Sequence, residues 1–166
     1  MLRVATTFKL ALVLVAASLL AACSSTKEEA PAPVVTTPTS SIKPGTADDF
    51  RVNVGDTVFF DTDAHSVRAD AQTVLQKQAA WLKQYPQVKL MLEGHCDERG
   101  TREYNLALGD RRAYAVKEFL VSLGVDAARL QTKSYGKERP VCSESDDSCW
   151  QQNRRGFSVI SAGAGS

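Results

Sequence analysis

The chain has 166 residues, with 20 lysines and arginines against 19 aspartates and glutamates, so its formal net charge is +1. This near balance, without a concentrated basic patch, argues against a nucleic-acid-binding protein. Once an apolar leader and a polar segment are set aside, the remainder is close to the usual size of one domain and can bury a single core. No internal repeat points to a second domain.

The first 22 residues are typical of a secretory signal peptide. Arg3 and Lys9 give a positive start, and an uncharged apolar run follows at residues 10–22. The run is too short to span a bilayer, which takes about 20 residues. Removal of the leader leaves 18 basic and 19 acidic side chains, a net charge of −1.

The leader ends in Leu20-Ala21-Ala22-Cys23, which resembles the bacterial lipobox. The resemblance implies that the mature protein begins at Cys23 and carries acyl chains on its thiol and its amine. Several chains together make a stable membrane anchor. In such lipoproteins an aspartate directly after the cysteine favours retention in the inner membrane. This chain has Ser24 there, which by the same resemblance implies the outer membrane. The alternative is an ordinary secretory signal in which the cysteine is incidental.

A polar segment follows Cys23 and extends to about residue 47. It is rich in serine, threonine, proline and alanine and has no helical or strand period, so it cannot bury enough surface to offset its ordering entropy. We expect residues 23–47 to form the lipidated cysteine and a disordered tether. Fully stretched, such a tether spans roughly 80 Å.

Apolar periodicity in the remaining domain, residues 48–166, predicts alternating strands and helices. Strands are expected at residues 57–60, 88–94, 129–135 and 157–160. Helices are expected from about Val67 to Leu82, ended by Pro86, and through Ala113 to Leu123, ended by Gly124. This order predicts an α/β domain (an α+β sandwich, β-α-β-α-β-β) with one mixed sheet and its helices packed on one face.

The polar residues that could carry chemistry lie between the second strand and the second helix. Asp97 comes at the carboxyl end of the strand, where ligands often bind in such sheets. Arg112 shares a helix face with Val116 and Phe119, so it should point inward. Spacing alone leaves two alternatives. Asp97 and Arg112 form a structural salt bridge, or they bind the ammonium and the carboxylate of a zwitterion.

Five separated motifs now indicate a family. The chain resembles the OmpA-like peptidoglycan-binding domain family, and in particular its lipid-anchored members of the Tol-Pal system. The resemblance covers about residues 58–160, in addition to the lipobox and tether. The matching motifs, in chain order, are Phe60-Asp61 with Asp63, Gly94 to Gly100, Asn105 to Ala113, Ser134-Tyr135-Gly136, and Asn153-Arg154-Arg155.

The resemblance implies a ligand and a role for each matching residue. The ligand would be the free end of meso-diaminopimelate in the peptidoglycan stem peptide, with Asp97 binding its ammonium and Arg112 its carboxylate. Four further residues match positions in or beside the family's pocket: Asp61, Asn105, Leu108 and Arg155. Leu108 could equally belong to the core, and Asp61 to a turn.

The resemblance also implies a noncovalent anchor between the outer membrane and the cell wall. Its protein partner would be the periplasmic propeller protein TolB, bound through a surface that overlaps the peptidoglycan site, and its process would be outer-membrane constriction during cell division. Two other classes of function remain. One is a lipid-anchored protein-interaction module without direct peptidoglycan binding, and the other is a lipid-anchored peptidoglycan hydrolase.

Three cysteines follow Cys23. Cys142 and Cys149 lie seven positions apart in a polar loop of an exported chain, which predicts a disulfide; metal binding and a free pair are the alternatives. Cys96 stands where members of the family often have a small residue or threonine. We expect a buried, inert thiol, which points away from Asp97 if the strand extends that far, because side chains alternate along a strand.

The sequence gives little support for an enzyme. His65 and His95 are the only histidines, and His95 is next to Cys96 and Asp97, but consecutive strand residues face opposite sides and chelate a metal poorly. No nucleophile elbow, phosphate-binding loop or paired-histidine motif is present. We therefore expect no catalytic residue, no metal and no cofactor.

Overall fold

Alternating apolar residues build one mixed sheet of four strands in the computed structural model, which describes residues 42–165. The strands are β1 (Thr57–Phe59), β2 (Lys89–His95), β3 (Leu130–Gly136) and β4 (Arg155–Ala162). Across the sheet their order is β1-β4-β2-β3. Strand β4 is antiparallel to both of its neighbours, and β2 is parallel to β3. The predicted mixed sheet is confirmed.

Two long helices were predicted, and both form. The helices are α1 (Ala47–Asp49), α2 (Ala69–Gln84), α3 (Arg102–Ser122) and α4 (Asp147–Asn153), with a π-helical turn at Phe50–Val54 and a 3-10 turn at Ala127–Arg129. No helix within residues 42–165 has both the length and the apolar character that crossing a membrane requires. The short helix α4 was not predicted, because its seven residues show no apolar period.

The core lies between the two long helices and one face of the sheet. Leu90 and Leu92 of β2 are buried with Leu75 of α2 and Leu120 of α3. Intervening residues such as Met91 face the opposite side of the sheet, as strand alternation requires. The helices therefore cover one face, as predicted.

The folded region begins slightly before the predicted boundary at residue 48. The buried carboxylate of Asp49 accepts hydrogen bonds from the Trp81 indole and the Gly45 amide, both at 2.8 Å. Near the other end of the chain, the Gly165 amide donates to the Gly45 carbonyl at 3.0 Å. The last residues assigned to the tether thus pack against the domain. The leader, Cys23 and most of the tether lie outside the described residues.

The predicted disulfide between Cys142 and Cys149 is present, with a Cα–Cα distance of 5.0 Å. It closes the loop that leads into α4. The side chain of Asn153, at the end of that helix, accepts from the Val141 amide at 2.8 Å and donates to the Cys142 carbonyl at 2.8 Å. This loop and α4 are therefore fixed to each other covalently and by hydrogen bonds.

Candidate functional site

A cavity of about 260 Å³ opens at the carboxyl end of β2. Its walls come from the turn after β1, the loop after β2 and the first turns of α3. The lining residues are Thr62, Asp63, Cys96, Asp97, Arg99, Gly100, Tyr104, Asn105, Leu108 and Arg112. Four of the six residues predicted for the site are among them.

The start of α3 fixes the shape of this cavity. Thr101 caps the helix, and its side-chain oxygen accepts from the Tyr104 amide at 3.2 Å. Buried Asn105 donates its amide to the carbonyls of Arg99 at 2.7 Å and Thr101 at 3.0 Å. Leu108 is buried in the wall. Asn105 therefore holds the loop in position, and Leu108 supplies an apolar surface.

Arg112 forms the cationic side of the cavity. Its side chain is fully buried, and it donates to three backbone carbonyls: Ala64 at 2.8 Å, His95 at 2.8 Å and Asp61 at 3.1 Å. Burial lowers the pKa of Arg112, although a guanidinium stays charged at any physiological pH. A guanidinium has five N–H donors, of which these carbonyls use three, and the Cys96 side chain is a further neighbour of the guanidinium.

Asp97 forms the anionic side. Its carboxylate accepts from the Arg99 guanidinium at 2.7 and 3.1 Å, from the Arg99 amide at 3.1 Å and from Arg154 Nη1 at 3.2 Å. Burial by itself raises the pKa of Asp97, but the hydrogen bonds from Arg99 and Arg154 outweigh it and hold the pKa below its usual range. Asp97 is therefore ionised.

The alternative of a direct salt bridge between Asp97 and Arg112 is wrong. Within residues 42–165, Asp97 pairs with Arg99 and Arg154, while Arg112 donates to carbonyl oxygens. The physical reason is that Arg112 ties the turn after β1 to the end of β2, because the carbonyls of both converge on it. The two charges line one cavity without neutralising each other.

Two predicted residues lie elsewhere. The Asp61 side chain is exposed and pairs with Arg68 at 3.0 Å, and only its backbone carbonyl reaches Arg112. Arg155 lines a different cavity, together with Phe59 and Phe157. The arginine that reaches Asp97 is Arg154, one position earlier in the same motif.

Comparison with known proteins identifies the family. A family model described as the OmpA family matches residues 59–154, more than half of the chain. The chain belongs to the OmpA family. The peptidoglycan-associated lipoprotein of Mesorhizobium japonicum is 64% identical over 123 residues, which cover 74% of this chain and 73% of that protein. The corresponding lipoprotein of Agrobacterium fabrum is 61% identical over 125 residues, 75% of this chain and 70% of that protein.

A solved structure agrees with the OmpA-family fold. The crystal structure of the peptidoglycan-associated lipoprotein from Burkholderia pseudomallei superposes with a TM-score of 0.62 at 47% sequence identity. The match covers 63% of this chain and 89% of that one. The names of these relatives describe lipoproteins that are associated with peptidoglycan.

Sequence reasoning missed several residues of this OmpA-family cavity. Arg99 covers Asp97, and its guanidinium lies 4.2 Å from the centre of the Trp150 ring in α4. The Tyr104 hydroxyl donates to Asp63 across the mouth. The family motifs contain Arg99 and Asp63 and could have marked them, whereas nothing in the sequence indicates that Trp150 comes close.

Cys96 is buried, as predicted, but the strand does not extend to it, so the condition for its pointing away from Asp97 is not met. Strand β2 ends at His95, so the alternation of side chains does not continue to the next residue. Cys96 consequently lines the cavity beside Asp97, and its thiol donates to the Asn105 carbonyl at 3.3 Å. Burial raises the pKa of the Cys96 thiol, which keeps it protonated and unreactive.

The cavity thus presents the Asp97 carboxylate, the Arg112 guanidinium and an apolar wall, and Asp63 and Arg99 also line it. Within residues 42–165, no group of three or more histidine, cysteine and carboxylate side chains is arranged to hold a metal ion. This arrangement suits a small zwitterion with a short apolar stem, because its cation can pair with Asp97 and its anion with Arg112.

Proposed function

We propose that this chain is an outer-membrane lipoprotein whose OmpA-family domain binds peptidoglycan noncovalently through the free end of meso-diaminopimelate. The observation that carries the proposal is the joint presence of Asp97 and Arg112 in one cavity without a bond between them. The free end of diaminopimelate has an ammonium and a carboxylate on one carbon. The names of the close relatives support peptidoglycan as the polymer.

Arg112 binds the ligand carboxylate in this proposal. Its guanidinium is already held by three carbonyls, so little conformational entropy is lost when a ligand binds. A donor that the carbonyls leave over meets an anion in a buried setting, where charge-assisted hydrogen bonds are strong. Leu108 packs against the carbon chain of the ligand.

Asp97 binds the ligand ammonium by exchanging cations. In the free domain Arg99 occupies the carboxylate, and its side chain is 40% exposed on the surface, whereas that of Arg154 is 9% exposed. Arg99 is therefore the partner that an incoming ammonium displaces, and it already lies over Trp150. The exchange keeps Asp97 neutralised throughout, so no buried charge is left alone.

The rest of the proposal concerns attachment and partners. Cys23 carries the acyl chains, and the segment between Cys23 and Gly45 gives the domain the reach to meet the cell wall. A TolB-like periplasmic propeller protein is the proposed protein partner in outer-membrane constriction at division. Tyr104 and Leu106 support it, because both are about half exposed on α3 beside the cavity. A partner docked there would compete with peptidoglycan.

Calorimetric titration of the full chain in mild detergent tests the ligand assignment. Three soluble stem peptides are compared: one with a free diaminopimelate end, one with that carboxylate amidated and one with that amine acetylated. We expect each modification to weaken binding by at least about tenfold, because each removes one of the two charge-assisted contacts between ligand and cavity. Equal binding of all three would overturn the assignment.

The same preparations separate the other two classes of function. If no stem peptide binds but TolB does, the protein-interaction module is correct. If incubation with insoluble sacculi releases soluble muropeptides, the chain is a hydrolase.

A further inference from the structure

A second cavity, of about 270 Å³, lies on the face of the sheet opposite the long helices α2 and α3. Its lining residues are Thr57, Phe59, Val141, Gln152, Arg155 and Phe157. A Cβ on Gly156 would touch Val116 and Val58, so Gly156 faces the helix-covered side. Its two neighbours in β4, Arg155 and Phe157, therefore face the other side. The sheet separates this cavity from the one that contains Arg112.

Arg155 lines this cavity and has a buried, unpartnered donor. The residue is 7% exposed, and its Nη1 has no hydrogen-bond partner within residues 42–165. Nη2 makes one long bond of 3.3 Å to the Arg139 carbonyl. Buried side-chain donors are nearly always satisfied, because leaving one unpaired costs about 1–3 kcal/mol or more for a charged group. The guanidinium thus lacks an acceptor.

The charges around Arg155 favour an anion as that acceptor. The register that pairs Gly94 with Gly156 places His95 opposite Arg155, and burial lowers the pKa of His95 to about 4, so this neighbour is neutral. Arg139 lies over the Tyr135 ring and adds a second positive charge. Glu93 is the one carboxylate of the group, and it also contacts His95 at 3.4 Å. Two guanidiniums thus face a single carboxylate.

The walls of the cavity define the rest of the ligand. Phe59, Phe157 and Val141 form an apolar surface around the guanidinium. The volume lies just below the roughly 300–1,000 Å³ of drug-sized pockets, so it fits a single amino-acid residue. A phosphate would keep two charges and a large hydration shell against these apolar walls. A carboxylate on an apolar carbon chain satisfies both the charge and the surface.

We propose that this cavity binds a small apolar carboxylate, with Arg155 Nη1 donating to the carboxylate and the phenylalanines packing on the apolar part. The C-terminal residue of a peptide and a free branched-chain acid share this chemistry. The single long bond to the Arg139 carbonyl lets the guanidinium turn Nη1 toward the cavity. The site is independent of the proposed peptidoglycan site.

Ligand-observed NMR with the full chain in mild detergent tests the site, with N-acetyl-L-leucine as the probe. Its amide, N-acetyl-L-leucinamide, lacks the charge, N-acetylglycine lacks the apolar side chain, and 4-methylpentanoate lacks the peptide group. We expect N-acetyl-L-leucine to bind about tenfold tighter than the amide and than N-acetylglycine. If 4-methylpentanoate binds as tightly as N-acetyl-L-leucine, the site is assigned to free acids. If it binds more weakly than N-acetyl-L-leucine, the site is assigned to peptide ends.

Two variants locate the binding. Arg155→Gln should abolish the preference for the acid over its amide. Because that buried change could unfold β4, Val141→Glu provides an independent test: the residue is 61% exposed at the cavity, and a carboxylate there should repel the acid but not the amide. Val52→Glu is the matched control, since Val52 is 58% exposed and lies outside this cavity.

The proposal is overturned if the acid and its amide bind equally or not at all. It is also overturned if Val141→Glu and Val52→Glu weaken the binding of N-acetyl-L-leucine to the same extent. These outcomes leave the proposed peptidoglycan site unaffected, because none of the probes carries an ammonium.

Discussion

Gly94 of β2 and Gly109 of α3 meet backbone to backbone, so that a Cβ added to Gly94 would clash with the carbonyl oxygen of Gly109. This close approach sets the distance between the helix and the strand. Arg112 lies one turn after Gly109 and donates to the His95 carbonyl, one residue after Gly94, at 2.8 Å. The glycine pair therefore brings the guanidinium to the end of the strand.

The variant Gly94→Ala should destabilise the domain and displace Arg112. A methyl group at this point meets backbone rather than a flexible side chain, so we expect the free energy of unfolding to fall by about 3 kcal/mol or more. Denaturant unfolding measures the change. Gly165→Ala is the control, because the nearest atom to its added Cβ is 3.7 Å away. Equal stability of the two variants would contradict this packing.

The variant Asp97→Asn should lose both binding and stability. It removes the partner of the proposed ammonium and leaves the buried Arg154 guanidinium unpaired, which costs roughly 3 kcal/mol. Asp110→Asn, an exposed change on α3, serves as the control. Titration with the free diaminopimelate stem should show at least about a tenfold loss for Asp97→Asn alone. Comparable affinities in the two variants would remove Asp97 from the site.

The disulfide should contribute about 2–3 kcal/mol to the free energy of unfolding, because it closes a short loop in the unfolded chain. Replacing both Cys142 and Cys149 with serine should lower the melting temperature, and a reductant should lower it in the unmodified chain only. The remaining free cysteine of the described residues, Cys96, is buried and gives no such response. A melting temperature unaffected by reductant would show that the disulfide is energetically neutral.

Buried His95 should make stability depend on pH. Its pKa is lowered from 6.5 to about 4 by burial and then by the charges of Arg155 and Arg139. Between pH 6.5 and about 4 the His95 side chain is therefore protonated in the unfolded chain but neutral in the folded domain. The free energy of unfolding consequently falls as the pH falls from 7 toward 4. The loss between pH 7 and 4.5 should be about 2–3 kcal/mol.

The variant His95→Gln should flatten that part of the stability profile. His65→Gln is the matched control, since His65 is exposed. Unfolding by denaturant at each pH measures both variants. If the two profiles coincide with that of the unmodified chain, the ring of His95 accepts its proton in the folded state.

Much of the fold could be predicted because apolar periodicity is a local signal. The burial of Leu90 and Leu92 and the inward direction of Arg112 follow from strand and helix spacing. The partner of Asp97 could not be predicted in this way. Alternation indicates that Arg154 and Arg155 face opposite sides, but only the pairing of β4 with its neighbours decides which of them faces the cavity.

Contacts between distant parts of the chain explain the other differences. The domain begins near Gly45, because the Gly45 amide donates to Asp49 and the Gly45 carbonyl accepts from the Gly165 amide. The composition of the sequence does not predict these hydrogen bonds. Helix α4 is stabilised by its Asp146 cap, which accepts from the Cys149 amide at 2.9 Å, and by the disulfide. Its residues alone carry no helical pattern.

Cosedimentation with insoluble sacculi tests the central claim most directly. The full chain in mild detergent is compared with Arg112→Gln and with Arg111→Gln, an exposed neighbour on the same helix, under conditions where circular dichroism shows all three to be folded. We predict that the unmodified chain and Arg111→Gln pellet with the sacculi and that Arg112→Gln stays in solution. If folded Arg112→Gln pellets as fully as the unmodified chain, the cavity at the end of β2 is not the peptidoglycan site.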